Sequence, residues 1–199
     1  KTIEVLNNIN YEIILINDGS SDNSWEVISN LASKKNNIIA IDLLKNYGQH
    51  TALFCGINYA KGDFLITMDD DLQHPPSEII KLIKFINEKD VDAVLAIPAS
   101  GHKKHHWFRN FGSKIMHLID HYLLDTPDGI KKSSFKIIKH DIAKSMVNNF
   151  NSTPAISSLL FQITNNVENI HVEHSKRKYG NSNYSSIALF RLLFNNIMH

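Results

Sequence analysis

An α/β fold with a mostly parallel sheet and helices on both faces is predicted from three observations. Apolar runs rich in Ile, Val and Leu alternate with amphipathic stretches along most of the chain. These runs are continuous rather than alternately apolar and polar, as strands buried on both faces require. Polar turn clusters then follow the first and third runs directly, at Asn17-Asp18-Gly19-Ser20 and Asp69-Asp70-Asp71.

Glu12 to Ile16 reads as the first strand, and Asp22 caps a helix whose apolar face is Trp25, Val27, Ile28 and Leu31. Ile38 to Leu43 is the second strand and His50 to Ala60 the second helix. Asp63 to Met68 forms the third strand. Pro75-Pro76-Ser77-Glu78 opens a helix with Ile79, Ile80, Leu82, Ile83 and Ile86 on one face. Val91 to Ile97 is the fourth strand. The second half predicts a helix near 107–124, a strand near Phe135 to Ile138, helices near 141–149 and 155–165, and a strand from Val167 to Glu173. A basic loop and a final helix from Tyr184 follow. No repeat or low-complexity linker interrupts the 199 residues, which read as a single domain.

Composition excludes several classes. Lys and Arg number 21 against 20 Asp and Glu, a net charge of +1, so no global field favours nucleic acid and no acidic excess favours disorder. The densest basic segment, His102-Lys103-Lys104-His105-His106, lacks interleaved aromatics that could stack on bases. The single cysteine, Cys55, forbids an internal disulfide and sits among Leu53, Phe54 and Ile57, which suits a buried inert thiol in a reducing compartment. No run reaches the roughly 18 apolar residues of a membrane span. The eight glycines are scattered, with no phosphate-cradling glycine loop.

In an open α/β sheet, ligands bind beyond the carboxyl ends of the strands. Two polar clusters fall there, Asn17 to Asp22 and Asp69 to His74. One carboxylate suffices for a cap or turn; three in succession repel one another unless a cation arrives. Hard oxygen donors of this kind suit Mg²⁺ or Mn²⁺, whose usual partners are nucleotide diphosphates.

The same segments carry a resemblance. Asn17-Asp18-Gly19-Ser20-Ser21-Asp22 resembles the DDGSxD turn of family 2 glycosyltransferases of the GT-A fold, which is Rossmann-like. Asn46-Tyr47-Gly48-Gln49-His50 and Asp69-Asp70-Asp71-Leu72-Gln73-His74-Pro75-Pro76 are similar to the NYGQH and DxDLQxPP segments of its polyprenyl-phosphate branch. Arg177-Lys178-Tyr179-Gly180-Asn181-Ser182-Asn183-Tyr184 resembles that branch's RxxGxSxY signature. The branch includes dolichyl-phosphate mannose synthase and the bacterial undecaprenyl-phosphate glucosyl and aminoarabinose transferases. Four motifs in the family's order cover nearly the whole chain.

The resemblance implies roles. Asp18 contacts the nucleotide base. Asp69 and Asp71 form the metal-binding pair, with Gln73 a further ligand. Arg177 holds the donor diphosphate, and Ser182 and Tyr184 shape that loop. Arg109 and Ser113 grip the acceptor phosphate, with Lys103 or Lys104 supplying charge to an anionic lipid head group. Read from residue chemistry alone, Arg109 and Ser113 share a helix face and Arg binds phosphate bidentately, but Arg109 equally suits a solvated helix. The run Lys176-Arg177-Lys178 likewise suits a solvated loop.

The implied reaction is an inverting transfer of a sugar from a nucleotide diphosphate, UDP being favoured, to a polyprenyl phosphate at the cytoplasmic face of a membrane. A saccharide acceptor and a non-catalytic nucleotide-sugar-binding homologue are the alternatives. Three departures stand out. The family's opening strand and PxYNE-like segment have no counterpart ahead of Lys1, so the natural protein is expected to be longer there. Asn17 replaces the usual first Asp of the turn, which should retune base recognition. Phe135-Lys136-Ile137-Ile138 follows Lys131-Lys132-Ser133-Ser134, where relatives often carry an Asp. The apolar final helix, with Ile187, Leu189, Phe190, Leu192, Leu193, Phe194 and Ile197, is expected to rest on the membrane interface.

Overall fold

The computed structural model describes residues 2–6, 9–99, 126–148 and 156–175. A short helix α1 (Thr2–Val5) precedes strand β1 (Ile13–Asn17), which pairs in parallel with β2 (Ile38–Asp42), Ile13 opposite Ile38 and Asn17 opposite Asp42. Helix α2 (Ser24–Ser33) forms the crossover between them. The N-cap of α2 is Asn23 rather than the expected Asp22, which stands one residue ahead of it. Asp22 Oδ1 accepts the Ser24 N–H at 3.0 Å, and hydrogen bonds from the Ser24 side chain and then its backbone hold the Asp22 carboxyl below the usual range. The apolar face expected on α2 is only partly used. Trp25, Val27 and Leu31 are exposed, because a two-stranded ladder gives one helix too little surface to cover.

Helix α3 (Gln49–Tyr59) lies on β1. Gly56 permits that approach, since a Cβ there would sit 2.8 Å from Ile16 Cδ1. The second sheet has the order β3-β5-β4-β6, with β3 Phe64–Thr67, β4 Ala93–Pro98, β5 Lys136–Lys139 and β6 Val167–Val172. The α/β architecture with parallel pairs holds, since β4 and β6 are parallel; β5 runs against both β3 and β4. That reversal sets the site, for the start of β5 then lies beside the carboxyl end of β3, Lys136 opposite Thr67.

Helices cover both faces of this sheet, and successive strand residues enter different cores. Ala93, Leu95 and Ile138 pack with Phe54 and Ile57 of α3 and with α5 (His140–Asn148) and α6 (Ile156–Ile163). Val94, Ala96, Phe135 and Ile137 pack with Ile79, Leu82 and Ile86 of α4 (Glu78–Lys89). Ile80 and Ile83, expected on the same face of α4, are partly buried at its margin. The helix ends where Asp90 adopts a left-handed conformation, φ 48°. The helices expected near 107–124 and from Tyr184 lie outside the described residues.

Candidate active site

The first polar cluster is built on β1. Asn17, buried at the strand's end, donates from Nδ2 to Asp42 Oδ1 at 2.7 Å. An aspartate here would set two carboxylates against each other, so Asn17 is the residue type that Asp42 selects. Asp18 Oδ1 accepts the Tyr47 N–H at 2.7 Å and Oδ2 the Gly48 N–H at 2.9 Å. One carboxylate therefore clamps the turn that opens α3. Gly19 completes the fit, with φ +67° and so little room that a Cβ would lie 2.4 Å from Asn46 N. Asp18→Ala should cost about 2 kcal/mol, the worth of charge-assisted hydrogen bonds at a half-buried site. Urea unfolding checks this, and an unchanged midpoint would refute the clamp.

The second cluster follows β3. Asp69 Oδ1 accepts from Gln49 Nε2 at 3.0 Å, and Oδ2 accepts from Ser134 Oγ at 2.6 Å. Thr67 Oγ1 donates to the Ser134 carbonyl at 2.6 Å, so the segment entering β5 is fastened twice to the end of β3. Asp71 Oδ1 accepts the Gln73 N–H at 3.1 Å, a local turn in which Leu72 takes a left-handed φ of 61°. The Gln73 carbonyl then accepts the Ser175 N–H at 2.8 Å. This bond ties the carboxylate loop to the chain leaving β6, just ahead of the basic run that begins at Lys176.

His74 is the loop's foundation. Its ring is buried, 4.9 Å from the Phe135 ring and edge-on to His174 at 5.0 Å. Burial holds it below the usual histidine range and His174 adds to this, while Asp69 and Asp71 pull the other way. Beside Asp69 a cavity of about 260 Å³ opens between α3, the segment 132–136 and α6, and includes His50, Leu53, Lys136, Ile156 and Ser157 in its wall.

The structure thus brings Asp18, Asp69, Asp71 and Gln73 to the carboxyl ends of β1 and β3, as the sequence predicts. The described contacts of Gln73 are main-chain ones. Arg109, Ser113, Lys103, Lys104, Arg177, Ser182 and Tyr184 lie outside the described residues. Gln49, His74, Ser134, Phe135 and Lys136 are residues that sequence reasoning misses as parts of the site. Gln49 and His74 carry a signal, as parts of the Asn46 to His50 and Asp69 to Pro76 motifs. Cys55 is partly buried and burial raises its thiol pKa, in keeping with an inert side chain.

Among the described residues no group of three or more His, Cys, Asp or Glu side chains could hold a metal ion. Asp69 and Asp71 nonetheless suit a magnesium-type ion, which commonly takes one or two protein carboxylates and completes its shell with water and substrate phosphates. Among the described residues, no helix is long and apolar enough to cross a membrane.

This α/β arrangement, with a carboxylate loop at the end of β3, is that of the GT-A fold. The chain belongs to glycosyl transferase family 2, whose family model matches residues 1–147. It is 34% identical over 185 residues to the undecaprenyl-phosphate 4-deoxy-4-formamido-L-arabinose transferase of Serratia proteamaculans, covering 92% of this chain and 56% of that one. The protein of the same description from Proteus mirabilis matches equally, at 34% identity and the same coverage. The chain therefore spans little more than half the length of these relatives. Among solved structures it resembles glucosyl-3-phosphoglycerate synthase from Mycobacterium tuberculosis, with a TM-score of 0.61 at 12% identity over 99% of this chain and 73% of that one. A mannosyltransferase from Pyrobaculum calidifontis, solved with GDP-Man and Mn²⁺, superimposes with a TM-score of 0.58 at 13% identity, covering 86% and 49%.

Proposed function

We propose that the chain carries the catalytic domain of an inverting, metal-dependent transferase that moves a sugar from a nucleotide diphosphate, UDP for preference, to a polyprenyl phosphate. The observation that carries this reading is the loop Asp69 to Gln73 at the end of β3, with the Asp69 carboxylate braced by Gln49 and Ser134 and Asp71 closing a turn with Gln73. The undecaprenyl-phosphate acceptor in the names of the relatives supports the lipid class. The neighbour solved with GDP-Man and Mn²⁺ supports a divalent ion.

In this reading Asp69 and Asp71, with Gln73, hold Mg²⁺ or Mn²⁺, which when bound offsets the charge gathering on the leaving diphosphate. Asp18, Arg177, Ser182 and Tyr184 bind the donor. Arg109 and Ser113, aided by Lys103 and Lys104, bind the acceptor phosphate at the cytoplasmic face of the membrane. One acceptor oxygen attacks the anomeric carbon from the face opposite the diphosphate. The new O–C bond forms as the old one breaks, and the electron pair leaves with the nucleotide. A phosphate monoester has its second pKa near ~6, so it arrives largely as the dianion and needs no general base. The reading treats residues 1–199 as one domain.

Calorimetric titration of UDP and GDP, each with and without Mn²⁺, tests it alongside Asp71→Asn. UDP binding that requires Mn²⁺ and disappears in the variant is the expected result. Binding indifferent to both the metal and Asp71 would overturn the assignment, and Mn²⁺-dependent binding of GDP alone would overturn the donor. If neither nucleotide binds, the titration is repeated on a chain extended upstream of Lys1, and failure there too would reject the reading.

A further inference from the structure

The cavity beside Asp69 contains a group that the proposed roles leave unused. Lys136 is 4% exposed, yet its ammonium has no carboxylate at ion-pair distance among the described residues. Its one hydrogen-bond partner there is Ser157 Oγ, at 3.1 Å. An ammonium has three donors, and a buried cation without a counter-charge is among the costliest features a fold can retain. Burial accordingly pushes Lys136 down to about 8, against the pull of Asp69. Across the cavity His50 Nδ1 is buried and has no partner among the described residues. Burial holds that ring below the usual range, and the Lys136 charge adds to the effect.

These groups come from three elements. Lys136 opens β5, Ser157 lies in the first turn of α6, and His50 lies in the first turn of α3, where the helix dipole favours an anion. Leu53 and Ile156 supply apolar wall between them, which strengthens any charge interaction inside.

We infer that this cavity is an oxyanion subsite, in which Lys136, Ser157 and His50 together hold one phosphoryl group of a substrate. A tetrahedral phosphoryl group carries several acceptor oxygens and can meet donors converging from three directions. Lys136 is the charged member of the set, and Ser157 and His50 orient the group. The inference deepens the proposed function and rests on it for the two sources of that group, the donor diphosphate and the acceptor monophosphate.

The test titrates inorganic phosphate, UDP and a short polyprenyl phosphate into the full chain, its Lys136→Met variant and its Lys136→Arg variant. Lys136→Met should weaken inorganic phosphate at least about tenfold, the scale of one charge-assisted contact, and Lys136→Arg should restore most of it. Weakening of UDP alone assigns the site to the donor, and weakening of the polyprenyl phosphate alone assigns it to the acceptor. Unchanged affinity for all three ligands in folded Lys136→Met overturns the inference. Should that variant not fold, Ser157→Ala, which leaves the charge in place, is expected to weaken phosphate about threefold, and no change there overturns it equally. If Asp71→Asn abolishes transfer while Lys136→Met binds phosphate normally, the proposed function stands and the subsite falls. Phosphate binding that depends on Lys136 in a protein that transfers no sugar keeps the subsite and rejects the proposed function.

Discussion

Asp69→Asn is expected to slow sugar transfer by about a thousandfold while leaving the protein folded. The magnitude follows from the role, since a metal held by carboxylates supplies several kcal/mol of transition-state stabilisation and every ~1.4 kcal/mol is tenfold in rate. The substitution keeps the side chain's shape but removes its charge. It also disturbs the brace, because an amide nitrogen must replace one of the two oxygens that now accept from Gln49 and Ser134. If it replaces Oδ1, Gln49 must turn its amide to offer Oε1 in place of Nε2. If it replaces Oδ2, only the Ser134 hydroxyl can adapt, by reversing its bond. Ser134→Ala separates the two contributions. It leaves the charge of Asp69 and removes only an orienting contact, so a loss of tenfold to a hundredfold is expected, the usual cost of deleting a ligand's supporting group. Transfer of labelled sugar, followed at several Mn²⁺ concentrations, distinguishes them: Ser134→Ala should recover partly at high Mn²⁺ and Asp69→Asn should not. Asp69→Asn retaining a tenth of the rate would remove this carboxylate from the reaction.

Much of this arrangement is legible in the chain itself. Continuous runs such as Ala93 to Ile97 are buried on both faces, and a run of that kind needs no partner's identity to be recognised. The Asp69 to Gln73 loop is legible because three carboxylates exceed what a turn requires. What stays hidden depends on contacts between segments distant in sequence. Nothing in Phe135-Lys136-Ile137-Ile138 states that its strand runs against its neighbours, or that the lysine points inward. Only pairing with Thr67 and Leu95 decides that. Asn17 reads as a loss beside the usual aspartate until Asp42, 25 residues away, is found accepting from its amide. The same holds for Asp18, which the turn motif assigns to a ligand and the structure engages with the amides of Tyr47 and Gly48. On α2 the mismatch runs the other way. Its periodicity promises a buried face, but periodicity specifies which residues align and not whether a surface exists to cover them.

Phe135→Ala should destabilise the fold by about 4 kcal/mol, the usual cost of emptying a fully buried phenylalanine site. Phe135 is 0% exposed and packs with Ile79, Leu82, Val94 and Ile137 between α4 and the sheet. Its carbonyl accepts the Ala96 N–H at 2.9 Å, and that bond remains in the variant, so the loss reports side-chain packing rather than the ladder. For a domain with a total stability of about 5–15 kcal/mol, this is a large share. Urea unfolding gives the number, and a loss below about 1 kcal/mol would mean the site collapses around the smaller residue. The consequence for the site is more specific. The His74 ring rests on Phe135 at 4.9 Å, and Gln73, next in the chain, closes the Asp71 turn and holds Ser175. With the phenyl ring gone, His74 can sink into the space, carrying the carboxylate loop with it. Phe135→Ala is therefore expected to weaken Mn²⁺-dependent nucleotide binding severalfold under conditions where the variant is still fully folded. Phe135→Leu, which refills most of the volume, should retain nearly all of both. If stability falls in Phe135→Ala but binding does not, the loop is held by its own hydrogen bonds and His74 is core filler alone.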